Sequence, residues 1–355
     1  MSSASNDGPI TGLLDTSVTI EQNNFVFKSL CLWSLNFFIG CLHACRFCYV
    51  TGTSIRKIAK LIESYGVEDP VQDWGKYLLL RPWDRQKFLA SLRRAEETPP
   101  DQLKTDGNRA VMLCTTTDAY QVIRHPDRET RKMLQEHARH TRRESLRLIR
   151  DESSLNVRVL TRSPLAREDF DLFQTFGDRL LLGTSLPTLD PVLARVYEPH
   201  VSAPQKRLKL LIDARDAGIH TFVAVAPVFP ECDYEGLVQL FTEVGKANPV
   251  TIFMEPVNLR LDIARRIEEE AAKLGRQIDM TVYTDRELWA DYAIRKLREA
   301  EEAAAEAGVS DRLHLWPDKA LGARHVVKRQ SDPDAYIAWL QRWWSRISEW
   351  PGKPV

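Results

Sequence analysis

The sequence has no stretch that would place it in a membrane or carry it out of the cell. Its longest apolar runs, near "FFIGCL" and "FVAVAPVFP", are far shorter than the ~20 residues that a bilayer-spanning helix needs. The N-terminus, "MSSASNDGPITGLLD", has no basic region followed by an apolar run, so no secretory signal is predicted. Cysteine is scarce, with six in 355 residues. We therefore expect a cytoplasmic protein without a membrane partner, whose thiols serve metals or catalysis rather than disulfides.

The chain also lacks a net charge, an internal repeat and a low-complexity tract. Lys and Arg number 49, as do Asp and Glu, so the overall charge neither favours nor excludes a polyanionic partner. A hydrophobic content of 43% and a charged content of 28% are typical of a soluble globular protein. A chain of 355 residues is long enough to bury a full core.

Short apolar segments alternate with amphipathic helices through most of the chain. Six of these segments are predicted strands: "CLWSLNFF", "RAVMLCTT", "NVRVLTR", "RLLLGTSL", "HTFVAVAPVFP" and "VTIFMEPV". Strands that are apolar on both faces and alternate with helices indicate parallel β/α units, and six units are fewer than the eight of a closed barrel. The C-terminal part is helical, and its last helix has a predicted core-facing stripe of Tyr336, Trp339, Leu340, Trp343, Trp344 and Ile347.

Half of the cysteines, Cys41, Cys45 and Cys48, lie within "GCLHACRFCYV". Their spacing would place three thiols on one face of a helix, but Gly40 and the polar residues between them favour a loop. Structural zinc would need a fourth ligand, for which His43 is a candidate, and no second Cys/His pair follows at the usual spacing. Iron–sulfur ligation fits best, because three thiolates can hold a four-iron cluster and leave one iron without a protein bond.

The motif "CLHACRFCY" has CxxxCxxC spacing with an aromatic residue, Phe47, before the third cysteine. It resembles the signature of radical S-adenosylmethionine (SAM) enzymes. The resemblance implies that Cys41, Cys45 and Cys48 bind a [4Fe–4S] cluster whose open iron is chelated by SAM. An electron, from a flavodoxin- or ferredoxin-like donor, would then cleave SAM to a 5′-deoxyadenosyl radical that abstracts hydrogen from a substrate.

The family resemblance also implies the fold. It predicts an α/β protein with a partial (β/α)6 TIM-like barrel, whose cluster loop follows the first strand, and the count of six strands agrees with it. We expect a polar N-terminal segment (1–28), a radical SAM partial barrel (29–260) and a helical C-terminal extension (261–355) that packs on the barrel.

Further motifs resemble the branch that contains spore photoproduct lyase and DNA repair photolyase-like proteins. They follow in the same order as in that branch: "LNFFIGCLHACRFCYV", "LCTTTDAYQ", "VRVLTRSPLAREDFDLF", "LGTSLPTLD" with its following "EPHVSAPQKRL", and "VAVAPVFP". Arg162 stands where the branch usually has lysine. The resemblance implies a lyase-like enzyme that acts on damaged DNA.

Polar residues at the ends of the predicted strands should meet at one face of the barrel. By resemblance, Thr117, Arg162 and Ser185 match positions that contact the cofactor, and a guanidinium suits a carboxylate. The complete set of candidate cofactor-binding residues is Phe47, Thr117, Asp118, Arg162, Ser185 and Pro227. Asp118 either caps the next helix or orients the site. Glu198 is expected to pair with Arg207 rather than to bind cofactor hydroxyls.

Cys114 is a candidate catalytic residue. Spore photoproduct lyase uses a cysteine on this strand, three residues before the motif's aspartate, to return hydrogen to the product radical. In this chain that position is Thr115, and Cys114 is one residue away. One step along a strand reverses the face unless a bulge absorbs it, so Cys114 is either a hydrogen donor or a packing residue.

A DNA substrate has one local indication, the basic segment 124–150. It contains nine Lys/Arg and four Asp/Glu. Such a segment either follows a phosphate backbone or forms a solvated helix face. A peptide or small-molecule substrate is an alternative, as is a non-catalytic, zinc-stabilised adaptor that binds through the basic helix and the Trp-rich tail.

Overall fold

The structure is a computed structural model that describes residues 8–23, 28–103, 108–258 and 261–352. Its strands are β1 (Ile10–Leu13), β2 (Ile20–Gln22), β3 (Trp33–Leu35), β4 (Phe38–Ile39), β5 (Tyr77–Leu80), β6 (Ala110–Leu113), β7 (Asn156–Thr161), β8 (Leu180–Ser185), β9 (Thr221–Val228), β10 (Thr251–Pro256) and β11 (Leu313–Leu315).

The helices lie mainly between the later strands. They are α1 (Ser54–Lys57), α2 (Ala59–Glu63), α3 (Arg85–Glu96), α4 (Arg128–Glu152), α5 (Phe170–Gln174), α6 (Pro191–Tyr197), α7 (Pro204–Asp216), α8 (Tyr234–Gly245), α9 (Leu261–Lys273), α10 (Thr281–Thr284), α11 (Arg286–Glu306), α12 (Arg324–Lys328) and α13 (Pro333–Trp344). None of the helices described combines the length and the apolar character needed to cross a lipid bilayer.

Eight strands form the main sheet, in the order β2-β3-β6-β7-β8-β9-β10-β11. Neighbouring strands from β3 to β11 are parallel, whereas β2 runs antiparallel to β3. The six strands predicted from the sequence correspond to β3 and β6 to β10. Within the described ranges no pairing joins β2 to β11, so the barrel is open. The predicted partial (β/α)6 barrel is confirmed, and β11 adds a seventh parallel strand that the sequence analysis did not predict.

Burial along the strands explains why these segments are apolar throughout. Every residue of β6 and β8 is buried, and β7, β9 and β10 each have only one or two partly exposed residues. A strand that is covered on both faces presents no polar side to water. Acidic caps start the intervening helices: Asp127 accepts a hydrogen bond from the Thr130 N–H at α4, and Asp233 accepts one from the Gly236 N–H at α8.

A second sheet, ordered β1-β5-β4, involves the N-terminal segment and the chain beside the cysteines. Strand β1 is parallel to β5, and β4 is antiparallel to it. Its apolar side chains share a buried cluster with Cys41, Val50 and Ile55, so this sheet supports the loop that follows β4. Part of the polar segment 1–28 is thus built into the fold, while residues 1–7 and 24–27 lie outside the described residues.

The C-terminal extension contributes helices α9 to α13 and strand β11. The apolar stripe of α13 faces inward, since Tyr336, Trp339, Leu340 and Trp343 are each less than a tenth exposed. The predicted stripe is wrong at Ile347, which is 43% exposed. Helix α13 ends at Trp344, so the helical spacing no longer applies to Ile347. The two buried tryptophans are core residues and do not form an exposed partner-binding face.

The N-terminal and C-terminal segments fill the end of the barrel where the parallel strands begin. Ser348 Oγ donates a hydrogen bond to the Ser29 carbonyl at 2.7 Å, and Asn108 Nδ2 donates one to Ser348 Oγ at 2.9 Å. Above them, the fully buried Arg158 donates from Nε to the Leu30 carbonyl at 2.9 Å. Access to the barrel interior is therefore from the carboxyl ends of the strands.

Candidate functional site

A cavity opens at the carboxyl ends of the parallel strands, with an empty volume of about 1170 Å³ that includes its open mouth. It is bordered by the loop after β4, the chain after β6 and the ends of β7 to β10. Every site residue predicted from the sequence lines it: Cys41, Cys45, Phe47, Cys48, Cys114, Thr117, Asp118, Arg162, Ser185 and Pro227. The fold therefore brings together side chains that are distant in the chain.

The three cysteines lie in a loop of tight turns, not on a helix. Gly40 has φ +93°, and a Cβ added there would lie 2.3 Å from the Tyr77 carbonyl oxygen. Ala44 has φ +52° and packs so closely on Gly75 that a Cβ on Gly75 would come within 2.4 Å of the Ala44 Cβ. Such positions require glycine or a small residue. The alternative of a helical cysteine stripe is therefore wrong.

All three thiols are free, and Cys41 and Cys45 are buried while Cys48 is partly exposed. Burial raises the pKa of the Cys45 thiol to about 12 and also raises the pKa values of Cys41 and Cys48. Without a metal, the thiols are therefore protonated at neutral pH, and ligation must release their protons. Three thiols around one cavity are a donor set suited to an iron–sulfur cluster, in which each thiolate binds a different iron.

Contacts from other parts of the fold hold the cysteine loop. The Leu42 N–H donates to Gln121 Oε1 at 2.7 Å, and the Arg46 N–H donates to the Tyr197 carbonyl at 2.8 Å. His43, the candidate fourth zinc ligand, is buried with Nδ1 at 3.4 Å from Asp118 Oδ2. In the described ranges no group of three or more His, Cys, Asp and Glu side chains converges so that it could hold a single metal ion, as structural zinc would require. The thiols of a four-iron cluster bind different irons and need no such convergence.

Asp118 does not cap helix α4 but accepts hydrogen bonds from the chain after β6 and from the end of β7. Its Oδ1 accepts hydrogen bonds from the Tyr120 N–H at 2.8 Å and from Thr161 Oγ1 at 2.7 Å. Its Oδ2 accepts from the Arg162 N–H at 2.7 Å, while helix α4 is capped by Asp127 instead. The buried carboxylate therefore links the chain after β6 to the end of β7, and Arg162 is the first residue after that strand.

Arg162 is fixed by a buried ion network. Its Nε donates to Glu198 Oε1 at 2.8 Å, and its Nη2 donates to Ser185 Oγ at 2.8 Å. Glu198 pairs on its other side with Arg207, whose Nη2 lies 2.6 Å from Oε2, as the sequence analysis expected. Burial alone would raise the pKa of Glu198, but the charges of Arg207 and Arg162 outweigh it and lower that pKa. Nη1 of Arg162 makes no hydrogen bond to a described residue, which leaves a donor for a ligand.

Cys114 reaches the cavity because the strand ends before it. Strand β6 ends at Leu113, and Cys114 has φ +55°, a left-handed backbone conformation. The alternation of side chains between the two faces of a strand therefore does not determine where the Cys114 side chain points. Burial raises the pKa of its thiol to about 12, and Thr117 lies beside it. Thr117 Oγ1 is buried and forms no hydrogen bond to a nitrogen or oxygen atom of the described residues, and its polar neighbour is the Cys114 thiol.

Phe47 and Pro227 complete the predicted wall of the cavity. The Phe47 ring lies 5.6 Å from the Phe229 ring and 5.4 Å from the Arg162 guanidinium. Pro227 follows Ala226, whose carbonyl accepts a hydrogen bond from Ser185 Oγ at 2.7 Å. These contacts join the cysteine loop to the ends of β8 and β9.

The cavity is also lined by residues that the sequence analysis missed: Lys28, Tyr49, Glu255, Asn258 and Trp316. Lys28 Nζ donates to both Glu255 oxygens, at 2.5 and 2.6 Å, and lies 4.9 Å from the Trp316 ring centre. A charged residue at the end of the apolar strand "VTIFMEPV" was a usable signal for Glu255. Lys28 and Trp316 carry no such local signal.

The basic segment 124–150 divides into two parts. In its second half, Arg142 pairs with Asp169 and Arg143 with Asp171, both at 2.6 Å. In the same half, Arg147 pairs with Glu144 and Arg150 pairs with Asp151. The exposed arginines before residue 140, here called the first half, form no ion pair with a described residue: Arg124, Arg128, Arg131 and Arg139. Much of the positive charge counted in the sequence is thus neutralised within the fold.

Sequence comparison identifies similar proteins but no matching family model. No protein-family model matches the chain. An uncharacterized protein of Acidianus two-tailed virus is 29% identical over 274 residues, covering 74% of this chain and 81% of that protein. An uncharacterized protein of Methanocaldococcus jannaschii is 23% identical over 229 residues, covering 64% of this chain and 70% of that protein.

Among solved structures, a spore photoproduct lyase mutant with bound AdoMet and dinucleoside spore photoproduct superimposes with a TM-score of 0.59. Its sequence identity is 12%, and the match covers 86% of this chain and 80% of that chain. The chain therefore shares the fold of spore photoproduct lyase, as the sequence motifs predicted.

Proposed function

We propose that the protein is a radical SAM enzyme. Cys41, Cys45 and Cys48 would hold a [4Fe–4S] cluster. Bound there with SAM, and given an electron from a flavodoxin- or ferredoxin-like donor, such a cluster would supply the chemistry that abstracts a hydrogen atom from the substrate, with methionine and 5′-deoxyadenosine as the products of SAM. The observation that carries the proposal is that three free thiols in CxxxCxxC spacing share one cavity with the candidate cofactor-binding residues.

Arg162 is suited to orient the carboxylate of SAM. Its Nε and Nη2 are held by Glu198 and Ser185, so the planar guanidinium has a fixed direction before a ligand arrives. A preorganised fork loses little entropy on binding a carboxylate. The buried hydroxyl of Thr117 has no nitrogen or oxygen partner in the part of the chain that the structure describes, so it is a second group that a cofactor can satisfy.

Cys114 is suited to donate a hydrogen atom to a product radical. A donor must keep its S–H bond at neutral pH, and burial raises the pKa of this thiol to about 12. Cys114 also lines the cavity that contains the three loop cysteines. A protonated thiol beside the reaction space meets the two requirements of the role.

We propose a nucleic-acid lesion as the substrate. The exposed arginines in the first half of the basic segment leave positive charge for phosphates next to the chain that follows β6. The superimposed lyase binds a dinucleoside spore photoproduct, although a shared fold alone does not transfer a substrate. Peptide and small-molecule substrates are the outcomes that a failed DNA experiment would favour.

Anaerobic reconstitution with iron and sulfide tests the proposal. The wild-type protein should bind iron and sulfide and, with SAM and a strong reductant, release 5′-deoxyadenosine. Cys41→Ala should abolish both results. Cys232→Ala is the matched control, because Cys232 is another buried free thiol and lies outside this cavity. A wild-type protein that binds zinc but no iron, or a Cys41→Ala protein that releases as much 5′-deoxyadenosine, would contradict the proposal.

A further inference from the structure

Helix α9, the first helix of the C-terminal extension, contacts the loop that carries the three cysteines. Arg266 Nη2 donates hydrogen bonds to the Cys48 carbonyl at 3.3 Å and to Thr51 Oγ1 at 2.9 Å. Thr51 Oγ1 in turn donates to the same carbonyl at 2.9 Å. One turn further along α9, Glu270 Oε2 accepts a hydrogen bond from Arg46 Nη2 at 2.6 Å. Two charged residues of one helix thus hold both ends of the segment from Arg46 to Thr51.

Both contacts are shielded from water. Arg266 is 6% exposed, and the side chains of Arg46 and Glu270 are 19% and 12% exposed. Helix α9 is itself anchored by an apolar face of Ile263, Ala264, Ile267 and Ala271. Charges in such a position are little screened by solvent, so their fields extend into the neighbouring cavity.

A second ion pair on the same helix provides a contrast. Arg265 and Glu269 are each one residue before Arg266 and Glu270, and both side chains are 56% exposed. Their Nε to Oε1 distance is 3.6 Å. An exposed pair of this kind contributes little to stability and its field is screened by water.

We propose that α9 is part of the cofactor site, where Arg266 and Glu270 position the cysteine loop and set the electrostatic potential at the cluster. The inference rests on the proposed function, because it requires the loop to bind a cluster. Adding an electron makes a cluster more negative, so a nearby cation favours reduction and a nearby anion opposes it. Arg266 and Glu270 should therefore act on the reduction potential in opposite directions.

The test is a reductive titration of the reconstituted, full-length protein, followed by the electron paramagnetic resonance signal of the reduced cluster. Arg266→Gln should lower the reduced-to-oxidised ratio at a given potential about tenfold, a shift of about 59 mV to more negative values for one electron. Glu270→Gln should shift the midpoint in the positive direction, because it leaves Arg46 uncompensated. Arg265→Gln and Glu269→Gln, the matched controls, should keep the wild-type midpoint.

The outcomes separate this inference from the proposed function. A wild-type protein that forms no cluster refutes the proposed function. A wild-type protein with a cluster, together with Arg266→Gln and Glu270→Gln midpoints equal to wild type or equal to the controls, overturns only the role of α9. If Arg266→Gln does not fold, Glu270→Gln decides alone, and the absence of a positive shift relative to Glu269→Gln overturns the inference.

Discussion

Replacing Glu198 by glutamine tests the buried ion network most directly. The carboxylate stands between Arg162 and Arg207, and the side chains of Glu198 and Arg207 are each 1% exposed. Removing one partner of a buried ion pair costs about 3–5 kcal/mol, because the other charge remains buried without compensation. Glutamine keeps one acceptor oxygen, so we expect the lower end, a loss of about 3 kcal/mol in the free energy of unfolding.

The corresponding change in melting temperature follows from the length of the chain. Unfolding entropy is about 2.1 cal/mol/K per residue, which for 355 residues gives about 0.75 kcal/mol/K. A loss of about 3 kcal/mol therefore lowers Tm by about 4 °C. Circular dichroism or scanning calorimetry of the protein at pH 7 measures it. Glu243→Gln is the control, since Glu243 pairs with Lys246 at the surface and its loss should cost less than about 1 kcal/mol.

The pH dependence of the melting temperature provides a second test of the same ion network. The pKa of Glu198 is lowered in the folded state, so its stabilisation is present above the ordinary value of 4.5 and is lost as pH falls through the lower folded value. The Tm difference between wild type and Glu198→Gln should therefore be largest near neutrality and should narrow below pH 4.5. Equal melting temperatures at pH 7, or a difference that widens in acid, would refute the reasoning.

Three further predictions concern chemistry, substrate and core. Cys114→Ala should leave the release of 5′-deoxyadenosine intact and change the product distribution, which chromatography of the reaction detects; unchanged products would make Cys114 a packing residue. Arg131→Gln should reduce the salt dependence of duplex binding by about one unit of slope, while Arg147→Gln, whose charge is paired with Glu144, should change it less; equal slopes in a filter-binding series would argue against a DNA substrate. Trp343→Ala should lower the free energy of unfolding by about 3–5 kcal/mol, and Ile347→Ala should lower it by less than about 1 kcal/mol, because Trp343 is buried and Ile347 is exposed. Comparable losses for the two variants in urea denaturation would contradict the packing.

The local sequence pattern was sufficient to predict the barrel strands and the cysteine loop. A strand that is buried on both faces must be apolar along its whole length, so six such segments could be recognised without any knowledge of their neighbours. Cys41, Cys45 and Cys48 likewise all lie within eight residues of the sequence. These features depend on residues close together in the chain, and the structure has both the open barrel and the three thiols at one cavity.

Strand β11 and Ile347 show where local pattern failed. Strand β11 has only three residues, too few for a periodic signal, and its pairing with β10 joins segments about sixty residues apart. Ile347 continues the apolar spacing of α13, but the helix ends at Trp344 and the spacing loses its meaning. Both depend on where the chain turns in three dimensions.

From its linear order alone, the chain specifies which segments become strands and which loop carries the thiols, because burial on both faces imposes a short-range pattern on residue type and the three cysteines lie close together in the sequence. The direction of the Cys114 side chain, the hydrogen-bond donors to Asp118, and the contact of Arg266 with Cys48 arise only after packing. Each joins elements separated by tens to hundreds of residues, or depends on one backbone angle at a strand end. Such contacts depend on how the whole core packs, and no short stretch of sequence contains enough information to predict that packing.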